Sequence, residues 1–310
     1  MSFEVALKVD VDTHDGARDG IPRLRALFAE LGVPASFFVT MGPDHSGRAV
    51  LRVFTRKGFL KKMLRTNAPS MYGLRTVLSG TLLPARMVGV KFPELLRGLA
   101  ADGHDVGPHG WNHVRWHDRL RGMDAAQARA EFEPGFRAVA DALGHAPEGS
   151  AAPGWQCSAA SLDAQDALGI RWHSDTRGRF PFVPCAGGRE YEGLEIPSTL
   201  PTLDEVLGSP EMGDLAPEEF FARRTDRAGL NVFTLHTESE GGHYLPFMRA
   251  LLLRWKSDGA TFVRLSDVAR RLAPQRATLP RAEVVWGELP GRAGAVACQG
   301  APVTTTPAAR

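Results

Sequence analysis

From Val5 to Val11 the chain is apolar enough to form a buried strand, yet that run ends on two carboxylates, Asp10 and Asp12. Side chains alternate along a strand, so Val11 faces one side while Asp10 and Asp12 share the other. Strands and helices then alternate. Pro22 in the first turn and Gly32 as cap bound a helix over Ile21–Leu31, and Ala35–Met41 is a second apolar strand. Helices are expected at Ala125–Leu143 and Ser158–Leu168, ended by Gly144 and Gly169, before a short strand Ile170–His173. The helix Pro217–Ala228 precedes the strand Asn231–His236, and Leu245–Trp255 precedes the strand Thr261–Arg264 and a last helix, Leu265–Leu272. This order predicts a parallel α/β barrel or an open sheet. Asp10, Asp12 and His236 would fall at C-terminal strand ends, where α/β barrels place their active sites.

A second stretch, His109-Gly110-Trp111-Asn112-His113, offers two imidazoles at i, i+4, which one face of a helical turn would bring together. Two histidines and one carboxylate, with a position left for water, make the ligand set of a hydrolytic metal site. One aspartate would then remain as a base. With 310 residues, 43% of them hydrophobic, the chain can bury a large core in one domain or two. A net charge of +2 implies no polyelectrolyte partner. No secretory signal is visible ahead of the first strand, and no apolar run reaches the roughly 18 residues of a membrane span. Cys157, Cys185 and Cys298 are scattered without a CxxC pair, which fits reduced thiols in a cytosolic setting.

Three further motifs follow in order: Ala151-Ala152-Pro153-Gly154-Trp155, then Trp172-His173-Ser174-Asp175-Thr176-Arg177-Gly178, then Phe233-Thr234-Leu235-His236-Thr237-Glu238. Together with Lys8–Thr13 and Gly107–His113 they resemble the polysaccharide deacetylase superfamily of metal-dependent amide and ester hydrolases. The resemblance runs from residue 4 to 272 and implies a distorted (β/α)7 barrel. It implies Asp12, His109 and His113 as ligands of a divalent ion, an identity left open among Zn, Mn, Co, Ni and Fe. Asp10 is then expected to act as base and His236 as general acid. Asp175 is expected to accept from the His236 imidazole, and Arg177 to orient Asp10 or bind substrate. His104 and His173 read as structural, His117 as a helix-face or loop residue, and Trp155 as an aromatic near the site.

Arg18–Leu24, Gly42-Pro43-Asp44, Lys62–Ala68 and Leu200–Val206 narrow the resemblance to one branch, which removes formate from 4-deoxy-4-formamido-L-arabinose-phosphoundecaprenol. That function implies modified lipid A, polymyxin resistance, an undecaprenyl-phosphate-linked sugar as partner and a cytoplasmic, peripheral location on the inner face of the membrane. The chain departs from the pattern twice. Ala151 stands where the superfamily carries an arginine that orients the catalytic aspartate, and Gln156 where the branch tends to carry one. A deacetylase of another N-acyl sugar or glycan, or a non-catalytic barrel binding a lipid-linked sugar, are the alternatives.

Residues 1–272 read as the catalytic barrel, with an insertion at about 45–93. From His45 to Pro93 there is no Asp or Glu, while Arg48, Arg52, Arg56, Lys57, Lys61, Lys62, Arg65, Arg75, Arg86 and Lys91 alternate with apolar residues. A basic, largely helical insertion of this kind suits an anionic membrane surface or a lipid phosphate. It lacks a nucleic-acid motif and a stacking series, so no nucleic acid is expected. Residues 273–310, rich in Ala, Pro, Gly, Arg and Thr, read as a disordered tail. The oligomeric state is left open.

Overall fold

A computed structural model describes residues 3–49, 76 and 78–303. Its strands are β1 (Phe3–Val11), β2 (Ser36–Val39), β3 (Asp105–Pro108), β4 (Gly149–Ser150), β5 (Trp172–His173), β6 (Val183–Ala186), β7 (Arg189–Glu190), β8 (Leu194–Glu195), β9 (Leu230–His236), β10 (Ala260–Val263), β11 (Arg281–Gly287) and β12 (Val296–Pro302). The main helices are α1 (Ile21–Leu31), α2 (Pro93–Ala101), α3 (His113–Arg119), α4 (Ala125–Leu143), α5 (Ala159–Ala167), α6 (Pro217–Arg224), α7 (Leu245–Ser257) and α8 (Leu265–Leu272).

β1 is the spine. It is buried along its length apart from half-buried Glu4, as a strand covered on both faces must be. All its partners run parallel to it. β10 pairs with Phe3–Ala6 and β2 with Lys8–Val11, while β9 pairs with Glu4–Asp10. β3 continues the sheet beyond β2. A second parallel sheet has the order β4-β5-β8, and a third sheet the order β12-β11-β6-β7. The Ala151 N–H donates to the Pro108 carbonyl at 3.2 Å, linking the β3 end to the β4 end. The Thr199 N–H donates to the Val232 carbonyl at 3.1 Å, linking the segment after β8 to β9. That connectivity is what a distorted barrel of seven strands, β1-β2-β3-β4-β5-β8-β9, requires.

Local chemistry sets the helix limits. Gly32 takes φ +62° after α1, closing the helix with bonds from its N–H to the Ala29 and Phe28 carbonyls. Asp124 and Gln127 form a reciprocal capping box at the start of α4, and Gly144 at φ +81° ends it. Phe37 and Phe233 of the main sheet pack with Phe28, Phe221, Leu251 and Trp255 from the helices, all fully or almost fully buried. Trp255 satisfies its one donor by a 2.8 Å bond to Thr225 Oγ1.

One expectation changes. Over residues 273–303 the segment read as a disordered tail is built: β11 runs parallel to β6, and β12 returns antiparallel along β11. Val296 and Ala297 on β12 and Ala282 on β11 are buried. Small alanines carry much of this burial, and the pairing partner lies about a hundred residues earlier, so no local hydrophobic period marks the strands. The folded unit therefore extends past residue 272. The basic insertion falls largely on residues 50–75 and 77, outside the described residues.

Trypsin should leave Arg281 and Arg292 uncut in the folded protein, since their side chains are only 18% and 12% exposed. Early cleavage at either, followed by mass spectrometry, would restore the disordered-tail reading.

Candidate metal centre

Alternation along β1 places Lys8, Asp10 and Asp12 on one side. Lys8 is fully buried, and its Nζ lies 2.8 Å from Asp10 Oδ2. A buried lysine is tolerable only when paired. Asp12, one step further, is part-exposed and faces two imidazoles. Its Oδ1 lies 3.3 Å from His109 Nε2 and its Oδ2 lies 3.3 Å from His113 Nε2.

The two histidines do not share a helix face, as their spacing suggested. His109 directly follows β3. Pro108 before it and Gly110 at φ +70° keep the chain out of helical geometry. Asn112 then caps α3 by accepting from the Arg115 N–H at 3.0 Å, and His113 is the first residue of the helix. The rings nonetheless end 5.5 Å apart.

The donor set fits a divalent cation. One ligand atom each from Asp12, His109 and His113 lies within 4.8 Å of the others. His109 Nδ1 lies 2.8 Å from the Ala151 carbonyl and must donate its proton there, which leaves the Nε2 lone pair facing the Asp12 carboxylate. His109 Nε2 and Asp12 Oδ1 are both buried without a hydrogen bond. Lone pairs facing one another out of water call for a cation between them. Burial works against a charged Asp12, but His113, His109 and His236 outweigh it and hold its pKa below the ordinary carboxylate range.

His236 ends β9 in register with Asp10, and the next N–H, that of Thr237, donates to the Asp10 carbonyl at 3.1 Å. Burial lowers the His236 pKa, but the carboxylates of Asp12, Asp10, Asp204 and Glu240 outweigh it and raise it. The site thus holds a carboxylate and an imidazole with a raised proton affinity beside the candidate ligands.

Asp175 and Arg177 make their bonds to partners other than His236 and Asp10. Asp175 belongs to a buried group with His173 and Glu195. Glu195 Oε1 accepts from the Asp175 N–H at 3.0 Å, the Thr176 N–H at 2.9 Å and Thr176 Oγ1 at 2.8 Å, while Oε2 pairs with His173 Nδ1. Asp175 Oδ2 accepts from Gln165 Nε2 at 2.7 Å. The carboxylates that act most on His236 are those of Asp12, Asp10, Asp204 and Glu240. Arg177 donates to Glu205 Oε1 at 2.7 Å and to the Leu200 carbonyl at 3.1 Å. The cation on Asp10 is Lys8.

Lys8 and Glu238 are what the sequence reading missed. A lysine inside an apolar strand, two residues before Asp10, was a visible signal. Glu238 Oε1 accepts from the N–H groups of Asp12 at 3.0 Å and Thr13 at 2.7 Å, fixing the chain where it leaves β1. Burial and the Asp12 charge raise its pKa to about 7. Trp155 lies near the site as expected, 4.9 Å from Lys8 Nζ, but it is buried and cannot form an open stacking wall. His104 and His173 are structural: His104 Nδ1 accepts from the Ala35 N–H at 3.1 Å. His117 lies on α3 with its ring stacked on His113, 6.2 Å away.

The profile of the polysaccharide deacetylase family matches residues 4–173. A relative from Shewanella sediminis, named as a 4-deoxy-4-formamido-L-arabinose-phosphoundecaprenol deformylase, is 34% identical over 94% of this chain and 93% of its own length. Another of that name from Wigglesworthia glossinidia brevipalpis is 28% identical over 92% of this chain and 98% of its own. Among solved structures, a polysaccharide deacetylase from Mycobacterium smegmatis superposes with a TM-score of 0.60 at 18% identity, covering 93% of this chain and 95% of that one.

Burial raises the Asp175 pKa most; His173 pulls it down and Glu195 pushes it up again, leaving it near 6 against an ordinary 3.8. The folded state thus favours the protonated acid. Its contribution to stability is present below pH 3.8 and is lost as pH rises through about 6. Asp175→Asn should therefore gain stability relative to the native chain across that window, read as urea midpoints on either side of it. A pH-independent difference between the two proteins would remove the buried-acid reading.

Proposed function

Since the chain belongs to the polysaccharide deacetylase family and is a hydrolase of amide bonds, we propose that it removes formate from 4-deoxy-4-formamido-L-arabinose-phosphoundecaprenol. The observation that carries the reading is the pairing of the Asp12, His109 and His113 donor set with Asp10 and His236 in register on adjacent strands. The names of its relatives supply the substrate.

Asp12, His109 and His113 would hold the divalent ion. Bound there, such an ion acidifies a water and polarises the formyl oxygen. Asp10, its carboxylate oriented by Lys8, accepts the proton of the attacking water as the water oxygen bonds to the formyl carbon. An amine leaves poorly unless protonated. His236 gives its proton to the amide nitrogen as the C–N bond breaks, releasing formate and the free amino sugar. The carboxylates of Asp10, Asp204 and Glu240 favour the proton on His236.

The product would serve lipid A modification and polymyxin resistance, with the enzyme peripheral on the cytoplasmic face of the membrane. Among the described residues no helix is long and apolar enough to cross a membrane. An exposed turn favours contact with one: Leu82 is 82% exposed and Leu83 38%. Arg48 donates to the Gly80 carbonyl in this turn at 3.0 Å, and Arg86 grips Asp15 with two bonds of 2.7 Å, tying the turn to the chain just past Asp12. The basic residues of the insertion would add attraction to anionic lipid.

Mass spectrometry of purified, metal-loaded protein with the formamido-arabinose lipid should detect loss of a formyl group, abolished by chelator. Acetate release from an N-acetyl sugar, with the formyl lipid untouched, would move the protein to the deacetylase alternative. Asp10→Asn and His236→Ala should each lose about 100-fold or more in kcat while keeping the metal. His113→Ala should instead lose metal, and unchanged stoichiometry would refute its place as a ligand. Replacing Lys57, Lys61 and Lys62 by Glu should weaken binding to anionic vesicles, and equal binding would end the membrane reading of the insertion.

A further inference from the structure

The β11–β12 hairpin reaches the catalytic centre. The loop between its strands carries Arg292, whose guanidinium lies 4.5 Å from the centre of the Trp155 ring. Arg177 lies against the same ring at 4.9 Å, as does Lys8 Nζ at 4.9 Å. Both arginines donate to one oxygen, Glu205 Oε1, at 2.7 Å from Arg177 and 3.2 Å from Arg292. Glu205 is buried and its other oxygen accepts from the Thr202 N–H at 3.1 Å. Next to Arg292, Gly291 sits so close that a Cβ there would fall 2.2 Å from the Glu205 carbonyl. The hairpin loop is therefore seated on the Glu205 turn without room for adjustment.

Trp155 is itself held in an unusual state. It is the only non-glycine residue with positive φ among the described residues, at φ +52°. Such a conformation persists only where its surroundings over-determine it. The ring is fixed by the two guanidinium groups and by a 2.9 Å bond from Nε1 to Ser198 Oγ. Lys8, on a flexible four-carbon stem, rests its ammonium on that ring and on Asp10. A cation gains most from an aromatic face where both are out of water, as here.

We propose that Arg292 is a positioning residue of the hydrolytic reaction: through Trp155 it holds Lys8 against Asp10 and so sets the geometry of the base. The inference rests on the reading of Asp10 as base given above. Arg292 touches neither the base nor the metal ligands, so its loss should act on turnover through the Trp155–Lys8 contact. A region distant in sequence, outside the 4–173 span of the family profile, thus completes the centre.

The test is Arg292→Ala and Arg292→Lys in the full-length, metal-loaded chain. Arg292→Ala should lower kcat about 10- to 100-fold, the scale of a misplaced catalytic group. KM and bound metal should stay near the native values, and Arg292→Lys should recover most of the rate because it keeps a cation for Glu205 and the ring. A second readout needs no turnover. In 5-fluorotryptophan-labelled protein, with the Trp155 resonance assigned by Trp155→Phe, that resonance should move in Arg292→Ala and stay near its native position in Arg292→Lys. Native kcat in Arg292→Ala overturns the proposal, and so does equal damage in both variants accompanied by loss of metal or of thermal stability. If the native enzyme fails to release formate, the proposed function falls, and the positioning role is then judged by fluorine alone: an unmoved Trp155 resonance overturns it, a shifted one supports it.

Discussion

Burying charge at the end of β1 is the constraint around which the rest of the site is arranged. Lys8, Asp10 and Asp12 enter the interior on one side of a parallel strand, and each must meet an opposite charge or a hydrogen-bond partner there. Lys8 and Asp10 satisfy each other at 2.8 Å. Asp12 receives two imidazoles and, among the described residues, no lysine or arginine, so its neutralisation is left to protons on those rings or to a metal ion. The surrounding backbone is committed to this layout. Glu238 holds the N–H groups of Asp12 and Thr13, and the Ala151 carbonyl fixes the tautomer of His109. The parallel register then brings His236 level with Asp10.

Two groups of histidine and carboxylate occur among the described residues, and the bonds already made by their carboxylates separate them. Around the candidate metal position, Asp12 Oδ1 and His109 Nε2 are buried without a hydrogen bond. In the group of His173, Asp175 and Glu195, His173 Nε2 and Asp175 Oδ1 are also buried without a partner, but both oxygens of Glu195 are occupied, one of them by His173 Nδ1. Burial lowers the His173 pKa, yet Glu195 and Asp175 outweigh it. A metal entering there would have to displace bonds already made, whereas at Asp12 it would complete a set that is short of cations.

The strand that ends at Asp10 and Asp12 and helix α1 with its glycine cap were legible in the sequence, because each rests on local rules of alternation and capping; His109 and His113 do meet, but across a strand end and a helix start rather than on the one helical face their spacing suggested. The errors share a cause. Asp175, Arg177 and the C-terminal hairpin were assigned from motif order or composition, while their partners Gln165, Glu195, Glu205 and β6 are set by tertiary contacts. Lys8 is the instructive exception. Its contact with Asp10 follows from strand alternation alone, but an expectation that an arginine must orient the aspartate drew attention to Arg177 instead.

The proposed base requires a cation within hydrogen-bond reach. The resemblance to the superfamily implies an arginine for that role at the position of Ala151, whereas here the charge reaches Asp10 from its own strand. The exchange has a consequence. An arginine presents a planar fork that fixes its own orientation, whereas a lysine is a point charge on a flexible stem and takes its position from its surroundings. Here those surroundings are the face of Trp155, and the ring is held by Arg177, Ser198 and Arg292 from parts of the chain remote from it in sequence. Moving the cation onto β1 therefore shifts the burden of orientation from one side chain to a packed assembly, and ties the precision of the base to the folding of the C-terminal hairpin.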